Sequence, residues 1–461
     1  MPSVAGADRT GTRHAAHARF IARVQTAAFV VFGSLVMLFA TRSVAHAHAS
    51  LVSSEPAANA HLSVSPSRVR LLFSEEIEPT LARLSLVADD GSITRLVVAG
   101  DPHDVHAIVA PVQSLAPGSY RLVWRVVSAD GQPVEGSIIF WTGNSAEQAP
   151  PVSPVALNTP STWGPTMIGA PIVPAALRGL GLGCLMAVMG LLFCLSWPRT
   201  ATELVQRRPA RLATRLSIAA AILLALHFGA WIMNASPDHR LGSDSTSALL
   251  ASSIGKIEIW RTGLTILVLW ALAIARRQRL ALLFAVAALV VSGASGHSAA
   301  IDPIWTEPAR ALHLLAGGAW LGALLYLIAY DRDATDTFMR DALRVSTIAL
   351  VAAIVVILSG VLQALLFMSS PWDLFSSAYG AVLLAKIAGL LVLLAFGAHH
   401  RYRVLPRLTH GATISGVFTA TIRSEVAVMS IVVLLGGLLA YVSPSHHAAT
   451  APSSHVHTSN Q

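Results

Sequence analysis

The sequence predicts two parts of different fold class, an all-β sandwich followed by an all-α bundle of transmembrane helices. Hydrophobic residues make up 54% of the 461 residues and charged residues only 12%, whereas about a quarter of the residues in an average soluble protein are charged. Short runs that alternate between apolar and polar residues fill 48–143, and long apolar runs dominate beyond residue 172. The apolar excess therefore lies in the second part, and a purely soluble protein is excluded.

The first 47 residues have the organisation of a secretory signal peptide. Basic residues come first, an apolar run follows at 27–40, and 45–47 reads Ala-His-Ala, which is a small-x-small cleavage site. The apolar run is shorter than the roughly 20 residues that a spanning helix needs. We therefore expect cleavage after Ala47, with an uncleaved signal anchor as the alternative.

Residues 48–143 are predicted to form an exported, immunoglobulin-like Greek-key sandwich. In the run 120–126, apolar residues occupy the even positions, while Arg121 and Arg125 lie on the other face. This period of two is typical of a half-buried strand, and Asp-Asp-Gly at 89–91 is typical of a hairpin turn. Further strands are predicted at 68–73, 81–87, 93–98 and 137–141.

A linker rich in Pro, Ser and Ala, 144–171, separates the sandwich from a polytopic membrane domain, 172–442. Eight apolar runs are close to the length that crosses a hydrocarbon core of about 30 Å. The predicted spans are 172–197, 216–234, 257–275, 280–296, 309–330, 345–368, 379–399 and 424–442.

The basic residues predict the orientation of these spans. The loops after the first, third, fifth and seventh spans hold 15 arginines, and the loops on the other side hold 3 basic residues. By the positive-inside rule, the arginine-rich loops are cytoplasmic. The sandwich and the histidine-containing tail, 443–461, are then on the periplasmic side of the inner membrane.

Composition also limits the partners. The net charge of +8 comes almost entirely from arginines spread along an apolar chain, whereas nucleic-acid binding requires a dense basic face. The lipid bilayer is therefore an expected partner and nucleic acid is not. Cys184 and Cys194 lie in one apolar run, so no disulfide framework is predicted.

Cleavage after Ala47 creates an N-terminal histidine, His48. Its free α-amine and its imidazole Nδ1 can close one chelate ring around a metal, and this donor set suits Cu(II), which prefers nitrogen ligands in a tetragonal plane. The alternative is that His48 merely follows the processing site.

Three blocks of the exported part resemble the periplasmic copper resistance protein C family. They are 48–57 (HASLVSSEPA), 71–75 (LLFSE) and 120–131 (YRLVWRVVSADG). The resemblance implies a small β-sandwich whose Cu(II) site uses the N-terminal histidine and an Asp-Gly-His turn. His48 and Asp130 match two of these ligands.

Gln132 stands where the family has its second histidine. An amide oxygen is a weak copper ligand, so weaker Cu(II) binding is expected unless another donor is recruited. His103 and His106 are candidates, although two histidines in a polar loop are more often simply solvated. No methionine occurs between His48 and Gly143, so no soft Cu(I) site is predicted in this part.

The membrane part resembles the copper resistance protein D family of multi-spanning proteins. The matching runs are 312–322 (LHLLAGGAWLG), 377–386 (SAYGAVLLAK), 401–406 (RYRVLP) and 423–425 (RSE). The resemblance implies copper handling, usually copper uptake across the membrane, and fusions of the two families are known.

Ionisable residues inside spans are costly and often functional. His313 and Lys386 are predicted near the outer ends of their spans, with His297 on the same side. Imidazole nitrogens bind copper, so His297 and His313 are predicted metal ligands beside His48 and Asp130; helix packing without an ion path is the alternative. Sulfur from Cys184, Met186 and Met189 suits Cu(I), but apolar helices contain sulfur residues routinely, so packing is the favoured explanation.

The sequence therefore predicts a copper-binding membrane protein, not an enzyme, that captures Cu(II) outside and transports copper inward, with Cu(I) as a form in the membrane. Periplasmic copper chaperones are candidate partners. A membrane b-type haem protein acting on periplasmic copper is the alternative, because His227, His313 and His399 lie on different spans. A membrane-anchored copper sensor or store is a third hypothesis, and a copper oxygenase is not expected.

Overall fold

The computed structural model describes most of residues 48–143 and most of each of the eight predicted spans. The predicted signal peptide, His48, Asp130, Gln132, the linker, His297 and the tail lie outside the described residues. The described residues are 50–128, 133–143, 172–196, 203–235, 243–295, 303–330, 335–368, 370–406 and 416–442.

The N-terminal part is a β domain of two sheets, and the order of their strands is β1-β3-β7-β6 in one sheet and β2-β9-β8-β4-β5 in the other. All pairings are antiparallel except β2 with β9. The strands are β1 Leu51–Glu55, β2 His61–Leu62, β3 Arg68–Phe73, β4 Arg83–Ala88, β5 Ile93–Leu96, β6 Ala99–Asp101, β7 Asp104–Pro111, β8 Gly118–Val127 and β9 Pro133–Thr142.

The five predicted strands are confirmed, and the turn at 89–91 joins β4 to β5 as expected. Gly91 has a φ of 81° there, which is a conformation that glycine adopts without steric strain. Strands β1, β2, β6 and β7 were not predicted, because they are short or carry polar residues at inward positions. The Greek-key connectivity stays a prediction.

The alternating pattern sets the core of the β domain. In β8 the even positions 120–126 are buried, whereas Arg121 is exposed. They meet inward residues of the other sheet, and the rings of Phe73 and Trp124 pack edge to face at 6.4 Å. Burial of such large apolar side chains is the main stabilising contribution in a domain of this size.

The C-terminal part is helical, and each of the eight predicted spans overlaps a helix. The helices are α1 Ile172–Ser196, α2 Glu203–Ala235, α3 Ser243–Ala251, α4 Ser253–Ala273, α5 Gln278–Gly293, α6 Pro303–Ala329, α7 Thr335–Phe367, α8 Asp373–Ser376, α9 Ala378–His399 and α10 Gly416–Leu439. A π-helical turn, His400–Val404, extends α9.

Six of the described helices are long and apolar enough to cross a membrane, namely α1, α2, α6, α7, α9 and α10. The predicted count of eight spans is not confirmed. Helix α4 carries Lys256, Glu258 and Arg261 in its first half, and α5 has only 16 residues. The chain is a multi-pass membrane protein.

Helices α1 and α6 approach closely through glycines. Gly190 of α1 lies against Gly318 and Gly322 of α6, and these two are spaced as in the GxxxG pattern that brings membrane helices together. A Cβ atom at Gly322 would overlap the backbone of Gly190. The glycines therefore set the distance between the two helices.

We expect Gly322→Ala to lower the free energy of unfolding by about 1–3 kcal/mol, because overpacking forces the backbones apart. Gly263→Ala on α4 is the matched control, since a Cβ there meets nothing within 4 Å. That control is expected to be neutral or to stabilise the helix by up to about 1 kcal/mol. Thermal unfolding of the purified proteins in detergent measures both, and equal midpoints for the two variants would refute the close-contact argument.

The β domain docks on one end of the helical part. Leu81 and Val127 form a buried cluster with Ala235 at the end of α2 and Leu249 of α3. Arg125 Nη2 donates to the Asn234 carbonyl at 2.8 Å. The end of the helical domain nearest the β domain, hereafter the β-domain end, is therefore formed by the end of α2, by α3 and by the start of α4.

Candidate metal centre and membrane pathway

The start of β1 is fixed beside the end of β3. The Ser50 backbone amide donates to Ser74 Oγ at 2.9 Å, and the Ser74 amide donates to the Ser50 carbonyl at 2.9 Å. His48, which lies outside the described residues, precedes Ser50 by two positions. The first described residue of the β domain, Ser50, therefore lies next to Ser74.

The segment that leads to Asp130 arrives at the same place. Ser128 forms a β-bridge with Ile77, and the Glu78 amide donates to the Val127 carbonyl at 2.9 Å. Asp130 itself is outside the described residues, two positions beyond Ser128. Residues 74–78 thus contact both Ser50 and the pair Val127 and Ser128, the described residues nearest in sequence to the two predicted ligands.

Glu75 is a functional candidate that the sequence reasoning missed. Its side chain is only 1% exposed, and it lies in the short segment between Ser74 and Ile77. A signal was present, because Val69, Leu71 and Phe73 alternate inward and Glu75 continues that phase. A carboxylate at an inward-facing position is the unusual feature, since buried carboxylates need a partner or a metal.

The candidate histidines of the loop lie around an arginine. Arg70 donates to Asp101 at 2.7 Å and to Asp104 at 3.3 Å. The hydrogen bond from Arg70 is the largest cause that lowers the pKa of Asp101, and the backbone amide of His106 is the largest cause for Asp104. Both carboxylates therefore stay ionised at neutral pH and already have a cationic partner.

His106 is better placed than His103 to supply a further copper ligand. Its neighbour Ala107 pairs with Leu72 of β3, so His106 lies next to the end of β3 that precedes Ser74. His106 Nδ1 is 3.2 Å from Asp104 Oδ1, so Nε2 is the ring nitrogen that would bind copper. His103 stands at the turn, where its amide donates to Asp101.

In the membrane domain, His313 of α6 and Lys386 of α9 lie close enough to interact electrostatically. They are about 15 Å and 12 Å from the N-terminal ends of their helices, at 1.5 Å per residue. His313 is thus farther from the N-terminal end of its helix than the predicted span implied, because α6 begins at Pro303 and not at residue 309. His297 is outside the described residues.

His313 is held against α7 by Ser359. Ser359 Oγ lies 3.0 Å from His313 Nδ1 and donates to the Val355 carbonyl at 2.6 Å. A neutral imidazole binds metals through the lone pair of one ring nitrogen. Lys386 Nζ lies near Gly436 of α10.

A second polar group lies at the opposite end of the same four helices. His400 Nδ1 is 3.1 Å from Glu425 Oε2, and Trp320 Nε1 donates to Glu425 Oε1 at 3.3 Å. These residues and Arg401 line a cavity of about 240 Å³ between α6, α7, α9 and α10. The remaining walls are mostly aliphatic.

The contacts of Met186 and Met189 do not indicate a role as copper ligands. Met186 and Met189 are buried and press their methyl groups against Gly317 and Gly318 of α6, which is a packing role. Within the described part of the chain, no group of three or more His, Cys, Asp or Glu side chains is arranged to hold a metal. Any copper site therefore involves residues beyond the described ones or fewer protein ligands.

His227 is fully buried and already bonded through both ring nitrogens. Arg261, which has only donors, donates to Nδ1 at 3.1 Å, and Nε2 is 2.9 Å from Tyr441 Oη. Neither nitrogen is available to a haem iron in this arrangement. The alternative of a b-type haem protein therefore loses one of its three candidate ligands.

Comparison with known proteins decides the family. The CopC domain model matches residues 51–143. The copper resistance protein D-like N-terminal domain model matches 169–306, and the copper resistance protein D model matches 339–439. Copper resistance protein C of Xanthomonas campestris pv. juglandis is 40% identical over 103 residues, which are 21% of this chain and 80% of that protein. The chain is a fusion of a copper resistance protein C domain and a copper resistance protein D-like membrane domain.

Other relatives of this fusion protein extend across the membrane domain. Copper transport protein CutJ of Bacillus subtilis (strain 168) is 28% identical over 388 residues, covering 77% of the fusion protein and 68% of the relative. Inner membrane protein YebZ of Escherichia coli (strain K12) is 25% identical over 285 residues, covering 58% and 97%. These relatives are named for copper transport and for the inner membrane, so the function of the fusion protein is related to copper at a membrane.

Proposed function

We propose that the fusion protein captures Cu(II) on the outer side of the inner membrane and passes copper inward between α6, α7, α9 and α10. One observation carries the proposal. The four helices that hold His313, Ser359, Lys386 and Gly436 near the β-domain end also enclose the cavity lined by His400 and Glu425. A route between these helices therefore has a polar group at each end.

The proposed capture site is at the end of the β domain near residues 74–78. His48 supplies its α-amine and imidazole, and Asp130 and the buried Glu75 supply carboxylates. Gln132 weakens the site relative to family members with a histidine there, and His106 is the replacement donor that the β3–β7 register favours. This domain extends over 48–143, after a signal peptide of 1–47 that is cleaved after Ala47.

The proposed topology has eight spans, with α4 and α5 added to the six apolar helices. The arginine-rich loops face the cytoplasm, so the linker 144–171, His297 and the tail 443–461 are outside. The hydrogen bond from Arg125 to the Asn234 carbonyl supports this topology, because it holds the β domain at the end of the bundle where copper entry is proposed.

Transport is tested by measuring copper accumulation in a deletion strain that carries His313→Ala. We expect accumulation to fall to the level of the empty strain, because the imidazole is the metal-binding group of the outer half. Ser359→Ala is the matched control, since it removes the same hydrogen bond but keeps the imidazole; it is expected to retain most of the uptake. Unchanged accumulation in a correctly inserted His313→Ala protein would rule out the role assigned to His313.

A further inference from the structure

A second set of buried ionisable residues lies mainly on α1, α2 and α4, outside the four helices of the proposed copper route. We call Arg178, His227, Glu258, Arg261 and Tyr441 the arginine cluster. Arg261 is 0% exposed, Glu258 3% and Arg178 5%. Four of the residues come from α1, α2 and α4, and Tyr441 follows the end of α10.

The arginine cluster lies near the β-domain end. His227 is seven residues before Asn234, which bonds the β domain, so it is about 10 Å along α2 from that contact. Arg261 is eight residues after Ser253, whose amide lies 3.4 Å from Glu78 of the β domain, which is about 12 Å along α4. The two residues therefore meet at the same depth.

The charges of the cluster do not balance. Glu258 forms an ion pair with Arg261. Arg178 donates to Ser295 Oγ at 2.8 Å and bonds Tyr441, and both partners are neutral. In the part of the chain that the structure describes, no carboxylate lies within ion-pair distance of Arg178. Two guanidinium groups thus share one carboxylate in a region of low dielectric, where an uncompensated charge is costly.

Three donor atoms of the two arginines also lack acceptors. Arg178 Nε, Arg261 Nε and Arg261 Nη1 are buried and make no hydrogen bond. More than about nine in ten buried polar groups in proteins are hydrogen-bonded, so such exceptions indicate a bound water or ion. Water would satisfy the donors but leave the charge, whereas an anion satisfies both.

We propose that the arginine cluster binds a small inorganic anion, either chloride or a small oxyanion, between Arg178 and Arg261. The anion supplies the missing negative charge and accepts the unused N–H groups. The two arginines lie on α1 and α4, whereas the proposed copper route lies between α6, α7, α9 and α10. Anion binding is measured on the copper-free protein, so its outcome does not depend on copper transport.

The test uses the purified full-length protein in detergent, with copper removed and gluconate as the bulky reference anion. At constant ionic strength, replacing gluconate by chloride, nitrate or phosphate is expected to raise the unfolding midpoint by a few degrees. The rise saturates with concentration, as expected for a ligand of the folded state. The anion that gives a saturable rise identifies the occupant.

Arg178→Gln is expected to abolish the saturable rise, and Arg279→Gln, which removes an exposed arginine at the start of α5, is the matched control and retains it. If Arg178→Gln does not fold, Arg178→Lys keeps the charge and is expected to weaken the apparent affinity severalfold. Line broadening of ³⁵Cl in nuclear magnetic resonance gives a direct second readout for chloride. A saturable rise for none of the three anions, or an equal rise in Arg178→Gln, overturns the proposal.

Discussion

One residue added in front of His48 removes tight Cu(II) binding by the β domain. The addition converts the α-amine into an amide, so the chelate ring between the amine and the imidazole Nδ1 no longer forms. Removing a residue that only hydrogen-bonds a metal ligand typically lowers metal affinity by about 10- to 100-fold. Removing the ligand itself costs more, so we expect Cu(II) affinity to fall by about a hundredfold or more. Copper titration followed by electron paramagnetic resonance measures it on the domain 48–143 and on the same domain begun at Ala47.

Two further variants separate the chelate from the rest of the site. Glu75→Gln keeps the shape of the buried side chain but removes its charge, and it is expected to weaken Cu(II) binding with the chelate intact. His61→Ala is the control, because His61 stacks on Trp141 at 4.6 Å and is not part of the proposed site. Equal affinities of the domains begun at Ala47 and at His48 would refute the chelate.

Glu258→Gln is expected to destabilise the membrane domain by about 3–5 kcal/mol, the usual cost of removing one partner of a buried ion pair. Arg261 is 0% exposed and loses its counter-ion, while Arg178 continues to add positive charge nearby. The yield of folded protein and its unfolding midpoint in detergent measure the effect.

Lys256→Gln is the control for Glu258→Gln, because it removes one exposed charge two residues away on the same helix. We expect it to leave the midpoint nearly unchanged. The double variant Glu258→Gln, Arg261→Gln should recover part of the lost stability, since contacting residues are not additive. A midpoint for Glu258→Gln equal to that of Lys256→Gln would show that the pair does not stabilise the fold.

Much of the fold follows from periodicity. The run 120–126 predicted a half-buried strand, and its even positions are buried in β8. Apolar runs of sufficient length predicted the positions of the helices, although α2 and α7 begin well before the predicted spans, at Glu203 and Thr335. Their first turns are polar, and a hydropathy pattern reports only the apolar part of a helix.

The candidate site was only partly predictable. His313 was identified because an ionisable residue inside an apolar run is unusual, and its Ser359 partner on α7 is 46 positions away. Glu75 continued the inward phase of β3 but was overlooked, because a single carboxylate after a strand is also typical of a loop. Its position beside the segments leading to His48 and Asp130 emerges only when β1, β3 and the end of β8 are brought together.

The sequence by itself determined that this protein has a β domain and an apolar helical domain, and that both resemble copper resistance proteins. The tertiary structure decided which polar residues meet. His227 contacts Arg261, 34 positions along the chain, and Tyr441, 214 positions along the chain. The physical reason is that a uniformly apolar helix carries little periodic signal about which face meets its neighbours. Close glycine contacts and the pairing of buried charges determine which face of each helix meets its neighbour, and both depend on the partner helix.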